Sequence, residues 1–176
     1  MTQRILVRPM KFTDIAGMIR VNEASLPENY PRSYWESLYH LNHASNHSFV
    51  ACSGVNIIGY VLCMPDAPIS RVVSLAVQAP YRGMGIGKAL LETCLNTFQV
   101  GKVTKVGLQV RKSNAAAIKL YESHGFEADD VLPNYYNNPI EDAYAMTRPV
   151  GVPVYPDVRK LKVTPWTAAP GASPAR

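Results

Sequence analysis

The chain has 176 residues, which suits one domain of ordinary size with a short appendage. Hydrophobic residues make up 47% of the chain and charged residues 18%, close to the globular average, which excludes global disorder. The net charge is +5, but residues 1–150 hold 14 Lys and Arg against 12 Asp and Glu, and such a near-neutral segment argues against direct DNA binding.

The hydrophobic pattern argues against a membrane partner. No apolar run reaches the ~18 residues of a spanning helix, and charges interrupt the apolar stretch at the start of the chain, which makes it a poor signal peptide. We therefore expect a cytoplasmic protein. Three widely spaced cysteines without a CxxC pair indicate buried, reduced thiols rather than a zinc knuckle or a disulfide framework.

The periodicity predicts an alternation of strands and helices. In the first half we expect a strand at 5–10, a helix that Thr13 caps and that runs to about Ser25, a proline-flanked break at 26–31, a helix at 32–41, and a hairpin of 48–53 with 56–64. The second half predicts a strand at 71–78, a helix at 85–98, a strand at 105–110, a helix from Ser113 or Asn114 to Gly125, and strands at 127–131 and 142–148 around a polar loop.

This order predicts an α/β fold in which a mixed sheet carries helices on its faces. Residues 1–150 form the predicted domain. Residues 151–176 contain five prolines and hold four Lys and Arg against one acidic residue, which is typical of a flexible, basic tail.

The segment from Arg82 to Lys88, RGMGIGK, lies between a predicted strand and a predicted helix. Three alternate glycines allow backbone N–H groups to converge, and the helix behind them adds its N-terminal dipole, so the segment predicts a site for a pyrophosphate. The glycine spacing is neither the GxGxxG of dinucleotide-binding turns nor the GxxxxGK[ST] of P-loops. A glycine-rich turn without a ligand is the alternative.

The pattern Arg-x-x-Gly-x-Gly resembles the coenzyme A site of the GNAT acetyltransferase superfamily, and NAAAIKLYESHGF at 114–126 is similar to a second motif of that superfamily. LPENY at 26–30, VRKSN at 110–114, and YY followed by EDAYAM at 135–146 narrow the resemblance to protein N-terminal acetyltransferases, specifically the NatA catalytic subunit and its archaeal relatives. The resemblance implies a GNAT fold, with a mixed, mostly antiparallel sheet of about seven strands and helices on both faces.

The resemblance also implies residue roles in acetyl transfer from acetyl-CoA to the α-amine of protein N-termini. Catalysis would rest on Glu28 as the amine-binding or basic group, the Val77 N–H at the oxyanion, and Tyr121 at the leaving thiolate. The implied coenzyme residues are Leu75, Ala76, Val77, Arg82, Gly83, Met84, Gly85, Ile86, Gly87, Lys88, Asn114 and Tyr121. The implied peptide residues are Leu26, Pro27, Glu28, Tyr30, Arg71, Tyr135 and Tyr136.

Two departures from the relatives concern the base. Relatives carry histidines where this chain has Arg71 and Gln109, so Glu28 carries the proton alone or the substrates arrive deprotonated. A cation at Arg71 near the site would favour peptides with an acidic first residue. The resemblance implies Ser, Ala and Thr as first residues of the substrate, with Met as a further candidate. Acetylation of a lysine or a small amine, and coenzyme binding without turnover, are the alternatives.

The last sequence predictions concern partners and metals. An auxiliary subunit and the ribosome are implied by the resemblance alone. His40, His43 and His47 form a run that could suggest a metal, but no carboxylate or cysteine completes it, so we expect no metal.

Overall fold

A computed structural model describes residues 4–42, 47–98, 103–151 and 163–164. The helices are α1 (Ile15–Glu23), α2 (Arg32–Asn42), α3 (Ile86–Thr97) and α4 (Ala115–Glu122). The strands are β1 (Ile5–Pro9), β2 (Phe49–Ser53), β3 (Asn56–Met64), β4 (Ile69–Val77), β5 (Lys105–Arg111), β6 (Glu127–Asn137), β7 (Ile140–Pro149) and β8 (Val163–Thr164).

One sheet holds these strands in the order β6-β7-β5-β4-β3-β2-β1-β8. Five of its seven neighbouring pairs are antiparallel, and the β4–β5 and β1–β8 pairs are parallel. The predicted mixed, mostly antiparallel sheet is therefore confirmed. The eighth strand comes from the segment that was predicted as a tail, most of which lies outside the described residues.

The two faces of the sheet carry separate cores, because successive side chains of a strand point to opposite faces. On one face the strands pack against α3 and Tyr121 of α4. On the other face they pack against α1 and α2, with Trp35 and Tyr60 fully buried between the layers. α1 contributes Ile15, Met18 and Val21 at helical spacing, which explains its orientation.

Two sequence predictions about element bounds are wrong. The first helix begins at Ile15, because Thr13 lies in a 3₁₀ turn where the Asp14 carboxylate binds Arg8 and accepts the Lys11 N–H. The predicted polar loop at 132–141 is mostly strand, and β6 and β7 leave only Asn138 and Pro139 between them. The prediction missed this strand because β6 is almost entirely exposed and lacks a hydrophobic alternation.

Candidate active site

The sheet opens between β4 and β5. The two strands pair over Ile69–Arg71 against Lys105–Gly107, and their pairing ends there. Beyond this point a cavity of about 760 Å³ lies along Val72–Val77 and Gln109–Arg111. The opening exposes strand backbone that an intact sheet would have paired, so it offers hydrogen-bonding groups to a ligand.

The backbone of Val77 faces this opening. The N–H of Gln78 donates to the Ile58 carbonyl of β3 at 2.9 Å, and backbone groups of successive residues in a strand alternate in direction. The N–H and carbonyl of Val77 therefore point away from β3, toward the opening. Its carbonyl accepts a 2.9 Å bond from Arg82 Nε, and this leaves the Val77 N–H as a donor toward the cavity.

The glycine-rich turn connects β4 to α3 as predicted. Gly83 (φ 75°) and Gly85 (φ 82°) adopt left-handed conformations that glycine adopts without strain, and Gly85 occupies the N-cap of α3. The first N–H groups of α3 have no partner within the helix and point toward the turn. With the exposed Lys88 beside them, these donors form a site suited to an anion.

Asn114 and Tyr121 bring α4 to the same cavity. Asn114 caps α4, because its side-chain oxygen accepts the Ala117 N–H at 3.2 Å. Tyr121 is buried against Phe126, and burial, followed by the neighbouring thiols of Cys63 and Cys94, raises the pKa of its phenol. The phenol therefore stays protonated, and none of the described residues forms a hydrogen bond with its hydroxyl.

Glu28 is held by an arginine that the sequence analysis did not single out. Its Oε1 accepts hydrogen bonds from Nε (3.0 Å) and Nη2 of Arg111. Arg111 also donates to Glu141 Oε2 and to the carbonyls of Asn138 and Pro139, each at 3.0 Å. All five N–H donors of the guanidinium are thereby used, whereas Glu28 Oε2 accepts no hydrogen bond from the described residues.

Arg111 also lies 4.2 Å from the ring centre of Tyr136, a cation–π distance. Glu141 in turn accepts the Ser113 N–H at 2.6 Å, and this bond, ahead of Arg111, lowers the pKa of the Glu141 carboxyl. Arg111 thus ties the loop between α1 and α2 to the turn between β6 and β7 across the mouth of the site.

A buried polar chain supports the same loop from below. Asn22 of α1 donates to the Glu28 carbonyl at 2.7 Å and accepts the Tyr60 hydroxyl at 2.6 Å, and Tyr60 also contacts Ser74 at 2.7 Å. Asn22 is 1% exposed, and its bond to Tyr60 and the contact of Tyr60 with Ser74 are shielded from water. The chain connects β3 and β4 to the backbone of Glu28.

The structure brings most of the predicted site residues to one cavity. The residues that line it are Leu26, Pro27, Glu28, Tyr30, Leu75, Ala76, Val77, Arg82, Gly83, Gly85, Ile86, Gly87, Lys88, Asn114, Tyr121 and Tyr136. Three predicted residues are not among its walls: Met84, Tyr135, which is 47% exposed, and Arg71, whose guanidinium lies 3.9 Å from Asp66.

The structure separates the residues of the predicted histidine run. His47 is buried, stacks on Phe98 and contacts Thr97, whereas His40 lies beside Phe12 and Tyr39. His43 lies outside the described residues. Within the described ranges, no group of three or more His, Cys, Asp or Glu side chains could hold a metal ion, and no helix has the length and apolarity needed to cross a membrane.

Comparison with known proteins agrees with this geometry. The family model described as "Acetyltransferase (GNAT) family" matches residues 15–126. The chain is 36% identical over 157 residues to an N-alpha-acetyltransferase of Sulfurisphaera tokodaii, covering 82% of this chain and 92% of the relative. It is 36% identical over 148 residues to the "N-terminal acetyltransferase complex ARD1 subunit homolog" of Dictyostelium discoideum, covering 81% and 71%.

A solved structure, Naa50 of Arabidopsis thaliana in complex with the bisubstrate analogue CoA-Ac-MVNAL, superposes with a TM-score of 0.72 at 26% identity, covering 82% of this chain and 97% of that one. The predicted GNAT fold is confirmed. Because the family model spans more than half of the chain and the relatives match nearly its whole domain, this chain belongs to the GNAT acetyltransferase family, among the protein N-α-acetyltransferases.

Proposed function

We propose that the chain transfers the acetyl group of acetyl-CoA to the α-amine of a protein N-terminus by direct attack. The observation that carries this proposal is the cavity between β4 and β5, which a glycine-rich anion site and the carboxylate of Glu28 both line. A coenzyme diphosphate and a terminal amine are the two ligands that these groups suit. Acetyl-CoA is the co-substrate, and it supplies the activated thioester.

The coenzyme would be held by the turn and by α4. The N–H groups of the turn at 83–88, with Arg82 and Lys88 beside them, would bind the diphosphate. The Nδ2 group of Asn114 would bind the pantetheine arm, since its Oδ1 is engaged by Ala117. The backbone of Leu75, which faces the opening, would pair with an amide of that arm as a neighbouring strand would.

Three groups of this chain would promote the transfer. An α-ammonium has a pKa of about 8, so a carboxylate such as Glu28 can orient it and accept its proton directly or through water. The Val77 N–H would bind the oxygen that becomes negative when the amine attacks. The protonated Tyr121 would donate its hydrogen bond, and then its proton, to the departing sulfur.

The peptide end of the cavity would recognise only the first side chain of the substrate. Leu26, Pro27 and Tyr30 on one side and Tyr136 on the other would enclose the first side chain, which favours Ser, Ala and Thr. Arg111 has every donor engaged, and Arg71 is not a cavity wall, so neither is available to pair with an acidic first residue. We therefore do not propose a preference for acidic starts.

We include an auxiliary subunit among the partners, because the Dictyostelium relative is named as a subunit homologue of an N-terminal acetyltransferase complex. The ribosome is proposed on the resemblance, and the reaction is compatible with it because nascent chains present free N-termini there. The cytoplasm would be the compartment for the same reason.

The experiment is thiol release from acetyl-CoA by the purified chain. Peptides that start with Ser, Ala, Thr, Met, Asp or Glu are compared with α-blocked peptides that carry an internal lysine. We expect release only with free α-amines, with the small residues ahead. Release with the blocked peptides alone would assign the enzyme to lysine instead, and coenzyme binding without release from any peptide would indicate a regulator.

A further inference from the structure

Two thiols meet in the core between the sheet and α3. Cys63 on β3 and Cys94 on α3 have Sγ atoms 3.0 Å apart, and both side chains are fully buried. A disulfide has an S–S length of about 2.05 Å, so a movement of about 1 Å would join the two sulfurs.

The third cysteine is separated from this pair by the sheet. Cys52 on β2 belongs to the core on the opposite face, whereas Cys63 and Cys94 share the α3 face. Its thiol lies near Arg8 and Asp14 instead. Cys52 is therefore a matched internal control, a buried cysteine of the same chain without a thiol neighbour in reach.

We propose that Cys63 and Cys94 form a structural disulfide when the chain folds in the presence of a small-molecule disulfide such as oxidised glutathione. One cysteine thiolate attacks the glutathione disulfide, which forms a mixed disulfide and releases one glutathione thiolate. The second cysteine thiolate attacks the protein sulfur of that bond and releases the other glutathione. The two protons of the cysteines end on the two glutathione thiols, and the two electrons reduce the glutathione disulfide.

The bond forms before the core closes. In the folded chain both sulfurs are inaccessible to a molecule of the size of glutathione, and burial, ahead of the contact with Cys94, raises the pKa of the Cys63 thiol. A buried, protonated thiol is a poor nucleophile for exchange. The reduced, folded protein therefore resists oxidation, and for the same reason the oxidised, folded protein resists reduction.

The disulfide would join the sheet to the helix that begins at the coenzyme turn. It would close a loop between positions 31 residues apart, and a crosslink of that span is expected to raise the melting temperature by about 10 °C in a domain of this size. Neither Cys63 nor Cys94 lines the cavity, so we expect both forms to transfer acetyl groups.

The test is refolding of the full chain from guanidinium with a glutathione redox buffer or with excess dithiothreitol. We expect one titratable thiol, Cys52, in the denatured oxidised product, a Cys63–Cys94 crosslink in its peptide map, and a higher melting temperature than that of the reduced product. Adding oxidised glutathione to the folded, reduced chain should leave all three thiols titratable.

Single variants separate the bond from general effects of folding. Cys63→Ala and Cys94→Ala should each remove the difference in melting temperature between the two refolding conditions, and Cys52→Ala should keep it. Three titratable thiols after oxidative refolding, a crosslink that includes Cys52, or equal melting temperatures of the oxidised and reduced chains would each overturn the proposal.

Discussion

Glu28 and Arg111 are 83 positions apart in the chain and share two hydrogen bonds at the wall of the cavity. The arrangement engages one carboxylate oxygen and leaves the other for a ligand. A base that must orient an amine benefits from such support, because a fixed carboxylate loses no conformational entropy when the substrate binds. Arg111 is therefore a positioning residue for Glu28.

Arg111→Lys tests this role. Lysine keeps the charge but lacks the planar fork that reaches Glu28, Glu141 and the carbonyls of the β6–β7 turn together. We expect kcat/KM for peptide to fall roughly 30-fold, the equivalent of about 2 kcal/mol for one lost charged hydrogen bond. The KM for acetyl-CoA should change little.

The neighbouring Lys112→Gln is the matched control for that variant. Lys112 is half-exposed and pairs only loosely with Asp142, at 3.7 Å. Its loss should leave peptide kinetics unchanged. An Arg111→Lys enzyme that matches wild type in kcat/KM would show that Glu28 does not depend on the guanidinium fork.

Tyr121→Phe tests the proposed acid. The variant keeps the ring that packs on Phe126 and removes only the hydroxyl. If the phenol protonates the thiolate, kcat should fall by roughly 10²-fold or more while the affinity for acetyl-CoA is retained. Tyr144→Phe, at a half-buried tyrosine outside the cavity walls, is the control. A kcat for Tyr121→Phe equal to that of the control would remove Tyr121 from the mechanism.

Among the elements, α1 helps to position the loop that follows it, because Asn22 donates to the Glu28 carbonyl and to the side chain of Asn29. Asn22→Ala removes the bonds to Tyr60 and to the Glu28 carbonyl inside the core. We expect a loss of about 2 kcal/mol in the free energy of unfolding and a lower kcat/KM for peptide. Urea unfolding and steady-state kinetics measure the two effects.

Glu23→Ala, at the exposed next position of α1, is the comparison for Asn22→Ala. It should change neither quantity. Should folded Asn22→Ala retain wild-type kcat/KM, the loop would not need this support.

The elements also show what the sequence could predict. The glycine turn and its helix are local features that local spacing predicts, and Asn114 is one of the two caps that the sequence offered for the next helix. Arg111 lay in a motif that was recognised, but its partners Glu28 and Glu141 are brought to it only by the sheet. The predicted sixth strand ended at residue 131, before the end of β6, because a strand exposed on both faces has no alternating hydrophobic pattern.

At the scale of the whole molecule, a buried histidine makes stability depend on pH. Burial lowers the pKa of His47 to about 4, against about 6.5 in an unfolded chain. Between these values the unfolded chain binds the extra proton, so stability falls as the pH falls from about 6.5 to about 4. The full effect of this one group is at most about 3 kcal/mol.

Urea unfolding of wild type and His47→Gln at pH 7 and pH 4.5 measures this contribution. Protonation of carboxylates lowers the stability of both proteins over the same pH range. The difference between the two pH-induced losses of stability therefore isolates His47. We expect the smaller loss in the variant. Equal losses would mean that His47 is as easily protonated in the folded protein as in the unfolded chain.

One peptide can show whether the acetyl group reaches an α-amine or a lysine side chain. The peptide starts with a free Ser and carries an internal lysine, so both amines compete within one molecule. After reaction with acetyl-CoA, fragmentation by mass spectrometry locates the acetyl group. We expect acetylation at the N-terminal residue with the lysine unmodified. Acetylation of the lysine with a free N-terminus would contradict it.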